Sequence, residues 1–421
     1  MNISPAKRVR GTLHVPPDKS ITHRALILSS FATGKTTLYN LLECNDTLRT
    51  FEILKRLSVR FKGDFERLEV IPPEEFSTPV NPLFCGNSGT TARIVMGLLS
   101  SIRGFYILYG DESLSRRPMR RVVKPLKRMG GIIMGRNSDE NLPIAIRGTK
   151  LKGTYHKLEV ASAQVKSALI LAGIRAHGKT TVEEPSKSRD HTERMLSYMG
   201  ANLKVKGNMI EVMPSEVNGI EFEVPGDFSS ASYFIALAVA HPNAEIRLED
   251  VGLNETRIGL LEILKDMNAK VEWQVTKSSP EPTGWITART SRLSGVEAKG
   301  EIIPKMIDEL PLLVLLGAVA HGTTEICDAG ELRKKESDRI STLVGNMKRL
   351  GVEIEEKVDG FVINGPQRIR GGRISSMGDH RIAMTFSIAG AISEEGVEIT
   401  DPECVQISFP NFFDKLKEVT G

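Results

Sequence analysis

Four short segments set polar, bare or cationic residues at the start of an apolar stretch. They are Lys19-Ser20 with Arg24, Asn87-Ser88-Gly89-Thr90, Ser162-Ala163-Gln164 and Asp379-His380-Arg381. Each lies at an expected helix N-terminus, where unpaired amides and the positive end of the helix dipole attract anions. The plainer account is that Ser, Asn and Asp stand there as N-caps. That account covers any one segment. It does not require the paired cations Lys19 and Arg24, nor the bare backbone of Gly89. Several such helix starts aimed at one cleft would make a strongly electropositive site.

Ser115 to Arg128 is the densest basic run. Its spacing predicts an amphipathic helix, with Met119, Val122, Val123 and Leu126 facing a core and Arg120, Arg121 and Lys124 in solvent. Pro118 fits the first helical turn. Arg117 lies just ahead and could instead reach a substrate carboxylate or phosphate as a planar fork. Two acidic groups could move protons. Asp308-Glu309 precedes the most apolar helix of the chain, where burial would raise a carboxylate toward the range of a general base. Glu331 to Arg339 mixes both signs at a helix start, with Glu336 as proton donor or acceptor and Lys335 and Arg339 as anion holders. Surface ion pairing is the alternative for that segment.

The elements that must position these groups recur. Six apolar helices are expected, starting near Lys19, Asn87, Ala163, Phe228, Asp308 and Asp379, at intervals of 65 to 80 residues. Each ends in a Gly- or Pro-containing turn and runs into a short β-branched stretch, as a helix stop followed by a strand should. Several units add a second amphipathic helix: HTERMLSYMGANLKV, RIGLLEILKDMNAKVEW and RISTLVGNMKRLGVEIEE. In the last, Ile340, Leu343, Met347 and Leu350 share one face. Six units in two groups of three predict an α/β protein of two domains. The boundaries are expected at Pro16-Pro17 and Pro225-Gly226-Asp227, giving 16–225 as one domain and 1–15 plus 226–421 as the other. The first strand, Gly11 to Val15, could then pair with the C-terminal domain.

Composition narrows the function. The 421 residues carry 56 Lys and Arg against 52 Asp and Glu, a net charge of +4, with 40% hydrophobic, 26% charged and only 5% aromatic residues. Near-neutral charge and few aromatics argue against nucleic-acid binding. Cys44, Cys85, Cys327 and Cys404 form no CxxC pair, so neither a zinc site nor a disulfide framework is expected. The longest apolar run, Leu312 to Ala320, is short of the ~20 residues of a membrane span, and no signal peptide is apparent. Cytoplasm is the expected location. Gly173 to Thr180 matches the phosphate-binding pattern GxxxxGK[ST], but an apolar helix precedes it and a strand follows. That is the reverse of the required order, so no nucleotide is expected there.

The segments PPDKSITHRALIL, CGNSGTTAR, ESLSRRPM, SAQVKSALILAG, SRDHTERML, ELRKKESDRI and GDHRIAMTFSIAG, in that order, closely resemble the 5-enolpyruvylshikimate-3-phosphate synthase family nearly end to end. The resemblance implies two domains, each of three βαβαββ-like units, in an inside-out barrel. It implies transfer of the enolpyruvyl group of phosphoenolpyruvate to the 5-hydroxyl of shikimate 3-phosphate, with release of phosphate, in aromatic amino-acid biosynthesis. No metal or organic cofactor is implied, and a monomer is expected. The SAQVKSA and SRDHTE forms resemble the class less inhibited by glyphosate.

Carried over by motif, Lys19 would touch both substrates. Ser20, Arg24, Ser162, Ala163, Gln164, Arg189, Asp308 and Lys335 would hold shikimate 3-phosphate. Gly89, Arg117, Gln164, Arg339 and Arg381 would meet phosphoenolpyruvate. Asp308 would take the hydroxyl proton, and Glu336 with Lys19 would serve protonation of carbon. The better-known class has Ser where Ala163 stands, Tyr near Ser188, Asn near Glu331 and Lys near Ile407. Ile407 supplies no cation, while Arg189 offers a substitute for the Tyr. UDP-N-acetylglucosamine enolpyruvyltransferase is the nearest rival, but it carries a Cys in the loop where GDESLSRRP has none. A sugar-phosphate or RNA-binding module using the basic helix starts without chemistry would have little use for Asp308 and Glu336 beside the cations.

Overall fold

The computed structural model describes all residues, 1–421. The chain forms two compact units: Pro17–Val224, and Met1–Pro16 together with Pro225–Gly421. Pro16 and Pro225 both belong to the second of these.

The unit Pro17–Val224 contains three four-stranded sheets and three buried helices, Lys19–Ser29, Gly89–Ser101 and Ala163–Ile174. One repeat shows the plan. Tyr155–Lys157 leads into Ala163–Ile174, then Thr180–Glu183, the helix His191–Tyr198 and the hairpin Leu203–Lys206 with Met209–Val212. The first two strands pair in parallel, and the last two add in antiparallel. Met209–Val212 alternates half-buried and buried residues, as a strand with one covered face must. The long helices are apolar on most of their circumference and so must lie inside. From Val165 to Ile174 every residue is buried. Two of these helices pack so closely that a Cβ on Gly97 would lie 2.2 Å from the Ala168 carbonyl oxygen, which explains a glycine mid-helix despite its cost. The Gly173-to-Thr180 pattern falls between the helix and the strand Thr180–Glu183, with Gly178 at positive φ closing the turn.

The other unit repeats the plan around Phe228–Ala240, Leu313–Val319 and His380–Ile392. Two of its sheets have four strands, and the third has three. Val9–His14 pairs in parallel with Ala244–Gly252, so the first strand belongs here. Every residue from Phe228 to Val239 is buried. Each fully buried Leu, Ile or Phe of such a helix contributes roughly 1.5–3 kcal/mol, and these helices form the core. No helix is long and apolar enough to cross a membrane.

The polar residues at the helix starts do act as caps. Asp18, Ser88, Ser162, Asp227, Asp338 and Asp379 each accept a hydrogen bond from a first-turn amide. One expected boundary shifts. The basic helix is Arg120–Arg128 with Met119 at its cap, so Pro118 precedes the helix instead of opening it. Its apolar face is as expected, since Met119, Val122, Val123 and Leu126 are fully buried. The mixed-charge segment forms a 3-10 turn, Gly330–Lys334, and the following helix starts at Arg339, where RISTLVGNMKRLGVEIEE begins. Lys335 and Glu336 therefore sit in the connection ahead of the helix, because Asp338 is the residue that caps it.

Candidate active site

In the unit Pro17–Val224, the sequence-predicted residues gather at the N-termini of its three long helices. Lys19 is the first residue of its helix, and its Nζ lies 3.1 Å from Asp46 Oδ2. Arg24, one turn on, is buried. It donates to the Ser20 carbonyl at 2.9 Å, to Ser167 Oγ at 2.9 Å and to Thr192 Oγ1 at 2.8 Å. Arg24 thus ties its helix to Ala163–Ile174 and to His191–Tyr198. Gly89 opens the second helix. A Cβ there would stand 2.7 Å from Arg93 Nη1 and 3.6 Å from Arg117 Nη1, so the missing side chain leaves room for two guanidiniums.

Arg117 follows the short helix Glu112–Arg116 and is only 8% exposed. Its guanidinium bonds the Asn87 side chain and Ser113 Oγ, the latter at 3.2 Å, beside Gly89. Arg93 donates to Gln164 Oε1 at 2.8 Å, and Gln164 donates in turn to Thr90 Oγ1 at 2.9 Å. The second and third helix starts are therefore stitched together by an Arg–Gln–Thr chain. Ser162 caps the third helix, and Ala163 and Gln164 are its first two residues. Arg189 is half-buried in the segment ahead of His191–Tyr198.

Behind these groups lies a buried polar chain. His23 Nδ1 meets Thr50 Oγ1 at 2.8 Å, Thr50 meets Thr91 at 2.8 Å, and Thr91 donates to Ser88 Oγ at 2.8 Å. Burial, then the charges of Lys19 and Arg24, hold the His23 imidazole well below its usual range, so it is neutral.

In the other unit, Asp308 lies at the mouth of three cations. Arg381 Nη2 is 3.4 Å from Oδ2, Arg339 Nη1 is 3.6 Å from Oδ1, and Lys335 Nζ is 3.9 Å from Oδ1. Arg381 also donates to the Asp308 main-chain carbonyl at 3.1 Å. Arg339, 1% exposed, donates twice to Asp379, at 2.8 and 3.2 Å, and to Glu336 Oε2 at 2.6 Å. Asp379 also caps the helix that carries Arg381. The structure therefore brings Asp308, Lys335, Glu336, Arg339 and Arg381 into one cluster. Asp308 is compensated by the three cations, and Glu309, fully buried, is paired with Arg257 at 3.4 Å and with Ser229 Oγ. The apolar helix could not accept either charge alone. Both Arg339 and Arg381 are raised above their usual range; burial opposes this, but Asp379 and Asp308 respectively outweigh it. Ile407 ends the 3-10 turn Pro402–Ile407 and is half-buried.

Sequence reading passed over Arg93, Lys166, Glu184, Glu193 and Arg257. One signal could have found Arg93 and Lys166. Each is a lone cation within an otherwise apolar helix, and such a charge is almost never buried unless paired.

Chemically, one cluster offers cationic and amide donors to anions, while the other sets a carboxylate among cations with a second carboxylate nearby. The model of the EPSP synthase (3-phosphoshikimate 1-carboxyvinyltransferase) family matches residues 3–416. A 3-phosphoshikimate 1-carboxyvinyltransferase of Thermotoga neapolitana is 56% identical over 420 residues, 100% of this chain and 99% of the relative. One of Thermodesulfovibrio yellowstonii is 44% identical over 99% of this chain and 98% of its own length. The EPSP synthase structure of Acinetobacter baumannii superposes with a TM-score of 0.88 at 37% identity, covering 99% of this chain and 97% of that one. The enolpyruvyl transferase NikO of Streptomyces tendae, at 15% identity and a TM-score of 0.79 over 99% and 96% of the two chains, shares the fold.

Proposed function

The chain belongs to the EPSP synthase (3-phosphoshikimate 1-carboxyvinyltransferase) family, and from that premise we propose that it transfers the enolpyruvyl group of phosphoenolpyruvate to the 5-hydroxyl of shikimate 3-phosphate. The observation that carries the reading is Asp308, a carboxylate set within 4 Å of Lys335, Arg339 and Arg381. A base so placed stands where anionic substrates are neutralised.

In this reading the methylene carbon of phosphoenolpyruvate takes a proton from Glu336 or Lys19. The 5-hydroxyl oxygen then bonds to the adjacent carbon while Asp308 accepts its proton. The tetrahedral intermediate loses a proton from the new methyl group and breaks its carbon–phosphate-oxygen bond. Phosphate departs and the double bond is restored. Two polyanions must be oriented for this, so fixed cations contribute by positioning and by electrostatic stabilisation. Lys19, Ser20, Arg24, Ser162, Ala163, Gln164, Arg189 and Lys335 hold shikimate 3-phosphate. Lys19, Gly89, Arg117, Gln164, Arg339 and Arg381 hold phosphoenolpyruvate. Arg24 and Arg339 already bond to protein groups, so each serves as much by holding neighbours as by direct contact. The chain acts as a monomer in the cytoplasm.

Phosphate release from phosphoenolpyruvate tests the reading. Release with shikimate 3-phosphate and none with UDP-N-acetylglucosamine is expected; the opposite pattern would assign the rival acceptor. Elution of the protein at twice its chain mass on a sizing column would exclude the monomer.

A further inference from the structure

Lys166, Glu184 and Glu193 form a buried ionic trio in the unit Pro17–Val224, with exposures of 1%, 3% and 4%. Lys166 Nζ lies 2.8 Å from Glu184 Oε2 and 2.7 Å from Glu193 Oε1. Burial alone would lower this lysine, but the two carboxylates outweigh it and keep it charged. The same ammonium donates to the Ser188 carbonyl at 3.1 Å. Glu184 in turn accepts from the Ser188 amide at 3.4 Å and from Ser188 Oγ at 2.5 Å. Every polar group of Ser188 thus ends on the Lys166–Glu184 pair. On the far side, Asp190 takes Arg194 Nε at 3.0 Å on each carboxylate oxygen. Arg189 stands between these two anchors.

We propose that Glu184, held by Lys166, is a positioning residue that sets Arg189 for the acceptor substrate. This rests on the reading of Arg189 as a shikimate 3-phosphate contact. The argument is geometric. Well-packed apolar side chains would stabilise this core at least as well as a buried ion trio, so the trio's distinctive effect is on the position of Ser188. A guanidinium recognises an anion as a planar fork, and misplacing its root by about 1 Å forfeits that alignment. Lys166 also sits two residues after Gln164, so the clamp ties the Arg189 segment to the helix that carries Ser162, Ala163 and Gln164.

Glu184→Leu is the clean variant, because it leaves Lys166 and Glu193 as a neutral pair. Its KM for shikimate 3-phosphate should rise about tenfold, while the KM for phosphoenolpyruvate and kcat stay within about threefold. Glu184→Gln keeps an acceptor oxygen for Lys166 and reverses the other bond, its amide nitrogen donating to Ser188 Oγ, and should keep near wild-type values. Arg189→Ala should raise the same KM by about tenfold or more, and adding Glu184→Leu to it should change nothing further. An unchanged shikimate 3-phosphate KM in Glu184→Leu, an equal rise for phosphoenolpyruvate, or additive effects in the double variant would each overturn the proposal. Should Glu184→Leu fail to fold, Ser188→Ala removes one bond and no charge, and the same criteria apply at about threefold. An Arg189→Ala variant with normal KM would instead sink the assignment of Arg189. A wild-type protein releasing no phosphate with shikimate 3-phosphate would sink the proposed function itself.

Discussion

Arg381 grips Asp308 at two points, donating to its main-chain carbonyl at 3.1 Å while its other terminal nitrogen lies 3.4 Å from Oδ2. The backbone contact survives loss of the side-chain charge. Asp308→Asn should therefore keep its geometry and lose only its basicity, lowering kcat by about 10²-fold or more. The KM values of both substrates should stay near wild type. Steady-state kinetics decide this, and full activity in the Asn variant removes Asp308 as the base.

Gly89→Ala places a methyl group 2.7 Å from Arg93 Nη1, the far end of a flexible side chain. Arg93 must yield, and its 2.8 Å bond to Gln164 yields with it. The volume beside Arg117 shrinks, so glyphosate, which is slightly longer than phosphoenolpyruvate, should lose more affinity. Inhibition constants compared with the phosphoenolpyruvate KM measure this. Equal losses would show that Gly89 does not border the discriminating volume.

Arg257 lies buried between two carboxylates, 3.3 Å from Asp227 and 3.4 Å from Glu309. Arg257→Met would remove the cation nearest to Glu309 and in contact with Asp227, at a cost of about 3–5 kcal/mol. Urea unfolding should show that loss. Because Glu309 adjoins Asp308, kcat should also fall in whatever fraction stays folded. A variant as stable as wild type would mean that Arg257 is dispensable to the fold.

His156 is buried in the unit Pro17–Val224, and burial, then the charge of Arg128, lowers it from 6.5 to about 4. Between those values the unfolded chain binds a proton that the folded chain does not. Stability linked to this group is complete above about pH 6.5, declines as the pH falls, and is gone below about 4. His156→Phe should therefore gain in Tm relative to wild type as the pH is lowered from 7 to 4. A Tm difference that does not vary with pH would contradict the assignment.

Much of the fold was legible because its signals are local. The starts of the helices Lys19–Ser29, Gly89–Ser101, Ala163–Ile174, Phe228–Ala240 and His380–Ile392 follow from a capping side chain next to an apolar run, and both lie within a few residues. The reversed order around Gly173 to Thr180 was legible for the same reason. Where two local signals competed, the reading slipped: Pro118 looked like a helix opener, but the backbone turns helical only after Met119.

By itself the sequence determined the six-fold repetition, most of the helix starts and the residue types able to bind anions or move a proton, because residue type and periodicity are properties of neighbours along the chain; the helix expected near Asp308 begins at Leu313, after a 3-10 turn. Only the tertiary structure decided which charge answers which. Arg339 takes Asp379, 40 residues away, Lys166 takes Glu184 and Glu193, and Asp308 takes three cations from two other segments. Burying a charge requires a partner, but among 52 carboxylates and 56 cations spacing cannot select one. Packing of the apolar helices selects it, by fixing which polar ends come within reach.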